Sequence, residues 1–311
     1  MRAYLLAVMI LGCSGSSSPQ ATVDDVAASD ETLAGDDTGA TTTDGETTDT
    51  TPGADTGAPA DTMTIPDAVA TGGCGKAATA GVSNLEIAVG GAMRKYVLSI
   101  PTGYDPSKPY LLAFGWHGRT GNGALFKLYS GVEKASANKA IFVYPDGLPV
   151  TSDPKDTGWE LTEKGRDIAL YDALLKELTS TLCVDSKRVV SFGHSFGGYM
   201  SNTVGCFRSS VTRAIAPFAG GGPYGACGSA VSAWVAHATD DAVVMLSEGQ
   251  KSRDVWLKKA GCNTMTTKVA PDPCVSYGGC TVPVIWCQAA TGGHSWPSYA
   301  AAGIWNYFAA L

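Results

Sequence analysis

No stretch of the 311-residue chain reaches 18 consecutive apolar residues, so the sequence offers no helix able to cross a bilayer. Charged residues make up only 16%, too few for a coiled coil, and a formal charge of −7 argues against an electrostatically driven nucleic-acid binder. No segment repeats at a solenoid period. No two cysteines are spaced C-x-x-C and there are only four histidines, which speaks against a structural zinc site. Residues 14–66 contain no Lys or Arg, and no aromatic residue lies between Tyr4 and Tyr96. A segment so poor in apolar surface cannot offset the entropy of ordering it.

What is present divides the chain. Eleven acids fall in residues 14–66, whereas residues 67–311 hold 18 acids against 21 bases, or +3. The sequence is 44% hydrophobic, enough for a substantial core. Residues 1–12 read as an export signal, with Arg2 followed by a mostly apolar run from Ala3 to Leu11. Ile10-Leu11-Gly12-Cys13 is similar to a bacterial lipobox, with Leu11 bulkier than the residue usual there. Cleavage before a lipidated Cys13 leaves a membrane contact made only through acyl chains, an ordinary signal peptide being the alternative. Residues 13–73 are then an acidic tether rich in Thr, Asp, Gly and Ala, and residues 74–311 the folded domain. The expected location is a bacterial cell-envelope lipoprotein, at the outer membrane or cell surface, or a secreted protein.

Short apolar runs alternate with helical patterns in residues 74–311. Strands are expected at Tyr96–Ile100, Tyr110–Trp116, Ala140–Tyr144, Arg188–Phe192, Arg213–Phe218, Ser232–Ala236 and Val282–Trp286. Helices are expected at Arg166–Leu182, Gly197–Phe207, Gly249–Lys259 and Ser298–Ala310. Near-continuous apolar strands between helices indicate an α/β fold with a mostly parallel central sheet covered on both faces. Eight cysteines remain after Cys13: Cys74, Cys183, Cys206, Cys227, Cys262, Cys274, Cys280 and Cys287. An even number behind an export signal points to four disulfides, of unassigned pairing, in an oxidising compartment.

Gly193-His194-Ser195-Phe196-Gly197 matches G-x-S-x-G, a weak signal alone in a chain with 38 glycines. It gains weight from its place between a strand pattern, Arg188–Phe192, and a helical one opening at Gly197. A serine nucleophile needs a base and an acid that orients it. His194 adjoins the serine, His117 precedes it, and no acid lies between Ser195 and His237. The order serine, acid, histidine leaves His294. Asp240 and Asp241 both follow the strand ending at Ala236, and the pattern does not choose between them. The oxyanion hole is expected from the amides of Phe196 and of Arg119, the latter after the strand that ends in His117-Gly118.

From Cys74 to Leu311 the chain resembles secreted feruloyl esterases and the related poly(3-hydroxybutyrate) depolymerases, which have the α/β-hydrolase fold. The resemblance rests on Gly73-Cys74-Gly75-Lys76, Lys108-Pro109-Tyr110, Phe114-Gly115-Trp116-His117, Tyr144-Pro145-Asp146-Gly147 and Asp167-Ile-Ala-Leu-Tyr-Asp172. It continues through Gly193–Gly198, His237-Ala-Thr-Asp-Asp241, Pro273–Cys280, Val284–Cys287 and Gly292-Gly293-His294. It implies Asp241 as the acid, with Ser195 and His294. Ala238 stands where the family has glycine, and Gly118-Arg119-Thr120 departs from the Trp-Arg-Gly of fungal members. Trp159 and Trp296 are candidates to line an acyl pocket for phenolic or polyester groups. The chemistry implied is hydrolysis of an ester through an acyl-enzyme, with no metal or organic cofactor, no nucleic acid and no obligate protein partner. The substrate would be polysaccharide-linked or a polyester; acetylxylan is a further alternative. A surface lipoprotein that keeps the fold only for binding is the rival of another class.

Overall fold

The computed structural model describes residues 72–311. The expected export signal, Cys13 and the tether through residue 71 lie outside the described residues. Gly73, assigned above to the tether, is buried, and its N–H donates to the Thr179 carbonyl at 3.0 Å.

The chain begins with a hairpin, β1 (Gly81–Val89) and β2 (Ala92–Ile100), followed by β3 (Tyr110–Trp116), α1 (Gly123–Ser130), α2 (Val132–Ala135) and β4 (Ala140–Pro145). A small hairpin of β5 (Leu148–Pro149) and β6 (Thr157–Gly158) precedes α3 (Arg166–Thr181), β7 (Val184–His194), α4 (Phe196–Phe207), β8 (Ala214–Phe218) and β9 (Ser232–Ala238). The last elements are α5 (Leu246–Lys259), β10 (Thr266–Lys268), β11 (Cys274–Tyr277), β12 (Val284–Ala289) and α6 (Ala300–Ala309).

Ten strands form one sheet in the order β1-β2-β4-β3-β7-β8-β9-β12-β11-β10. Its centre, from β4 to β12, is parallel, and antiparallel hairpins close both margins. Every residue of β4, β8 and β9 is buried, which is why their sequences run apolar without alternation save Ser232 and His237 near the ends of β9. Successive side chains along β3 serve opposite faces. Leu111 and Ala113 join Phe126, Phe192, Phe218 and Phe308 on one side, while Leu112, Phe114 and Trp116 join Tyr171, Leu174 and Met200 on the other. Each large side chain so enclosed contributes roughly 1.5–3 kcal/mol relative to exposure.

The parallel sheet expected from the apolar runs is present. Strands β1, β5, β6, β10 and β11 and helices α1 and α2 were not expected. β1 is largely exposed and β10 entirely so, so neither carries a buried apolar run. α1 is only eight residues long, but it has a start signal: Asn122 Oδ1 accepts the Leu125 N–H at 2.9 Å.

All eight described cysteines pair, as Cys74–Cys183, Cys206–Cys227, Cys262–Cys280 and Cys274–Cys287. The last joins residues directly opposite each other on β11 and β12. Between the sheet and α3, Arg94 and Asp167 form a fully enclosed ion pair at 2.6 Å. Asp167 also accepts the Glu160 N–H, so this buried carboxylate has hydrogen bonds as well as an opposite charge.

Candidate active site

The parallel strands direct their carboxyl ends to one edge of the sheet, where loops after β3, β7, β9 and β12 converge. Ser195 stands between β7 and α4 at φ 56° and ψ −123°, a backbone conformation that costs a non-glycine residue roughly 1–3 kcal/mol. The turn is held open by hydrogen bonds: the Ser195 N–H donates to the Phe218 carbonyl at 2.9 Å, and its own carbonyl accepts from Gly198 at 2.8 Å. The glycines have a steric reason. A Cβ at Gly197 would collide with the Trp116 carbonyl and one at Gly193 with the Gly197 backbone, so the helix approaches the sheet only without side chains there.

The loop after β12 brings His294 to this edge. Its Nδ1 lies 2.7 Å from Asp241 Oδ2. Asp241 is 3% exposed, and its Oδ1 accepts the N–H groups of Val243 and Val244, each at 2.9 Å. Burial pushes its carboxyl up, but the hydrogen bonds from His294, Val244 and Val243 outweigh this and hold it below the ordinary value. Asp240 faces elsewhere: it is exposed, with Oδ1 accepting the Gly293 N–H at 2.7 Å and Oδ2 that of Gly292 at 3.3 Å. Thus one neighbour meets the imidazole and the other secures the loop that carries it. His294 Nε2 has no hydrogen-bond partner among the described residues.

Ser195 and His294 share a cleft of about 440 Å³ with Gly118, Arg119, Leu125, Tyr129, His194 and Val243. Among the described residues, neither the Phe196 nor the Arg119 amide donates to a main-chain or side-chain acceptor. The Arg119 guanidinium turns aside to a bidentate pair with Asp156, at 2.6 and 2.7 Å. That bond first, and Thr151 second, hold the Asp156 carboxyl at about 2. Leu125 and Tyr129, one helical turn apart on α1, are 51% and 39% exposed, and Val243 is 71% exposed, so the cleft has an apolar rim.

The two tryptophans are not in the wall of this cleft. Trp159 is 2% exposed, and its Nε1 donates to the His117 carbonyl at 2.8 Å, beneath the loop after β3. Its position is a correction to the acyl-pocket assignment, because an indole N–H in the interior must find an acceptor and this one found it under the loop. Trp296 donates to the Ser130 carbonyl at 3.1 Å and packs edge-on to Phe126, Tyr129, His194 and Phe218, tying the His294 loop to α1. Leu125, Tyr129 and Val243 were not anticipated as lining residues. The Asn122 cap, with apolar residues at the next turn, was the available signal for the first two.

The arrangement contains a hydroxyl on a strained turn, an imidazole anchored to a carboxylate, and two undirected amides. These are the parts of nucleophilic acyl transfer. No protein-family model matches the chain. It is 34% identical over 237 residues to feruloyl esterase C of Emericella nidulans, covering 71% of this chain and 82% of that protein. It is 30% identical over 244 residues to feruloyl esterase D of Neurospora crassa, covering 71% and 81%. Its fold is similar to that of the acetyl xylan esterase from Aspergillus awamori, with TM-score 0.59 at 13% identity over 74% of this chain and 99% of that one. The fold is that of the α/β-hydrolases.

Proposed function

The chain belongs to the feruloyl esterase family of carboxylic ester hydrolases, and on that premise we propose that Ser195, His294 and Asp241 cleave hydroxycinnamoyl esters of plant cell-wall polysaccharide. Ser195 Oγ attacks the ester carbonyl while His294 Nε2 takes its proton. Asp241 keeps the imidazole proton on Nδ1, so the lone pair faces the cleft, and stabilises the imidazolium once formed. The Phe196 and Arg119 amides receive the oxyanion. Its collapse expels the sugar hydroxyl, protonated by His294, and leaves an acyl-serine that water hydrolyses by the same steps. The observation that carries this reading is the 2.7 Å bond that His294 Nδ1 donates to Asp241, in the cleft that Ser195 enters on its strained turn.

The apolar rim of Leu125, Tyr129 and Val243 favours an aromatic acyl group over acetate, whose single methyl gains little from such a surface. Comparison of kcat/KM for methyl ferulate, acetyl-xylan and hydroxybutyrate oligomers tests this. A preference for the feruloyl ester supports it, and acetyl preference replaces it with the acetylxylan reading. The four disulfides suit an oxidising compartment outside the cytoplasm. We further propose export and lipidation at Cys13; absence of labelled fatty acid from the wild-type protein would refute the anchor.

A further inference from the structure

The chain has four histidines, and His294 is one of them. The other three stand at the same edge of the sheet, largely enclosed, and none is needed as a base. Each meets the main-chain carbonyl of a different loop of the site. His117 Nδ1 lies 2.7 Å from the Gly118 carbonyl, His194 Nε2 is 3.1 Å from the His294 carbonyl, and His237 Nε2 is 2.8 Å from the Val244 carbonyl.

The proton on each ring follows from its neighbours. His117 Nε2 accepts the Gly147 N–H at 2.8 Å, so Nδ1 carries the hydrogen given to Gly118. His194 Nδ1 lies 3.1 Å from the Tyr129 hydroxyl, which donates to it, leaving Nε2–H for the His294 carbonyl. His237 Nδ1 is enclosed and unpartnered against Gly249, so its hydrogen is on Nε2, directed at Val244 and 3.4 Å from Asp241 Oδ2.

We propose that His117, His194 and His237 are positioning residues, each donating one ring N–H to fix one loop of the catalytic centre. This rests on the assignment of Ser195, His294 and Asp241 made above. His117, with the Gly121 N–H at 3.0 Å, holds the Gly118 carbonyl. In a trans peptide the Arg119 N–H then points away from the His117 ring, in the fixed direction an oxyanion donor requires. His194 anchors the backbone of the base itself, and His237 anchors the turn whose amides bind Asp241.

A second proton would spoil each clamp, and burial opposes it. Desolvation pulls all three rings below the ordinary 6.5, His194 to about 4. The charged groups facing them are Asp146 and Asp167 at His117, His294 and Asp241 at His194, and Asp241, His294 and Glu248 at His237. At His194 the His294 ring acts with desolvation, while the hydrogen bond to the His294 carbonyl and the Asp241 carboxylate oppose it without prevailing.

Amide substitutions test which nitrogen donates, because an Asn amide nitrogen reaches the Nδ1 position and a Gln amide nitrogen the Nε2 position. With methyl ferulate, alanine at each position is expected to lower kcat by roughly 10- to 100-fold, as sub-ångström misplacement of reacting groups does, with KM little changed. His117→Asn, His194→Gln and His237→Gln should recover most of that loss. The reciprocal amides, His117→Gln, His194→Asn and His237→Asn, should not. Where an alanine variant does not fold, the paired amides still decide. Equal kcat for both amides at a position, or a loss that follows melting temperature alone, overturns the proposal there. Ser195→Ala in the same assay separates the two readings: an active Ser195→Ala defeats the triad assignment. A dead Ser195→Ala beside histidine variants that all turn over like wild type defeats only the positioning role.

Discussion

The two ends of the parallel strands present different kinds of cavity. At the amino ends, Lys187, Arg188 and Arg213 line a concavity of about 610 Å³ with Asp185, Ser209, Thr212 and Leu311. At the carboxyl ends the cleft is smaller, about 440 Å³, yet it has Ser195 at positive φ, the Asp241–His294 bond and two amides without acceptors. Volume alone would select the amino end, not the end proposed as catalytic. The difference comes from chain direction: a strand's carboxyl end leads into the amino end of a helix, where turns expose side chains and unspent N–H groups. The proposed chemistry therefore falls at the carboxyl end.

The largest expected effect breaks the comparison if it fails. Ser195→Ala should fold as the wild type and lose roughly 10⁵-fold or more in kcat with methyl ferulate. Retained turnover would mean that the nucleophile lies elsewhere. Next come the adjacent carboxylates. Asp241→Asn leaves a neutral partner that no longer stabilises the imidazolium, and kcat should fall roughly 10⁴-fold. Asp240→Asn keeps an oxygen for the Gly293 N–H, so its cost should stay within about tenfold. Equal losses in the two variants would erase the distinction drawn from their orientations.

Two smaller effects concern stability, one at each end. Cys183 precedes β7, and its bond to Cys74 closes a separation of 109 residues in sequence. Paired replacement of these cysteines by alanine should cost roughly 2–5 kcal/mol in denaturant unfolding while kcat at 25 °C stays near wild type. At the other end the histidines set the response to acid. His194 is held at about 4 in the folded chain and titrates near 6.5 when unfolded. Between these values the unfolded state binds a proton that the native state does not, so stability falls as pH drops from about 6.5 towards 4. The loss from His194 is on the order of 3 kcal/mol, and His117 and His237 add to it in the same direction. A flat unfolding midpoint across that range would show that the rings titrate freely.

How much of this was legible in the sequence depended on the kind of force involved. The central strands were legible because burial on both faces writes an uninterrupted apolar run, as in Ala140–Tyr144. The elbow was legible because its glycines and its place between strand and helix have a steric cause. Asp240 and Asp241 were indistinguishable by pattern, since the choice turns on which side of one turn each carboxylate occupies. The clamps of His117, His194 and His237 were not legible either. Their partners are main-chain carbonyls, and every residue has one, so no residue type betrays the contact. The family landmarks found a reason only in three dimensions: Asp146 accepts the Gly123 N–H at 2.7 Å to start α1, Gly147 binds His117, and Asp167 neutralises Arg94.

The smallest expected effect tests whether the two ends act separately. Arg213 immediately precedes β8, and among the described residues its side chain makes no ion pair. Its main chain is committed to the sheet, donating to the Val189 carbonyl at 2.7 Å and accepting from Ser232 at 3.2 Å. From there β8 runs directly to Phe218, whose carbonyl holds the Ser195 N–H. One five-residue strand thus links the far cavity to Ser195 over roughly 16 Å. If the cavity influenced catalysis, this would be its shortest route. Removing an exposed side chain leaves the backbone bonds and the fully buried packing of β8 in place. Arg213→Ala should therefore change kcat by less than about twofold and stability by no more than about 0.5 kcal/mol. A tenfold fall in kcat at unchanged stability would show that β8 couples the two ends, and the division of labour between them would have to be abandoned.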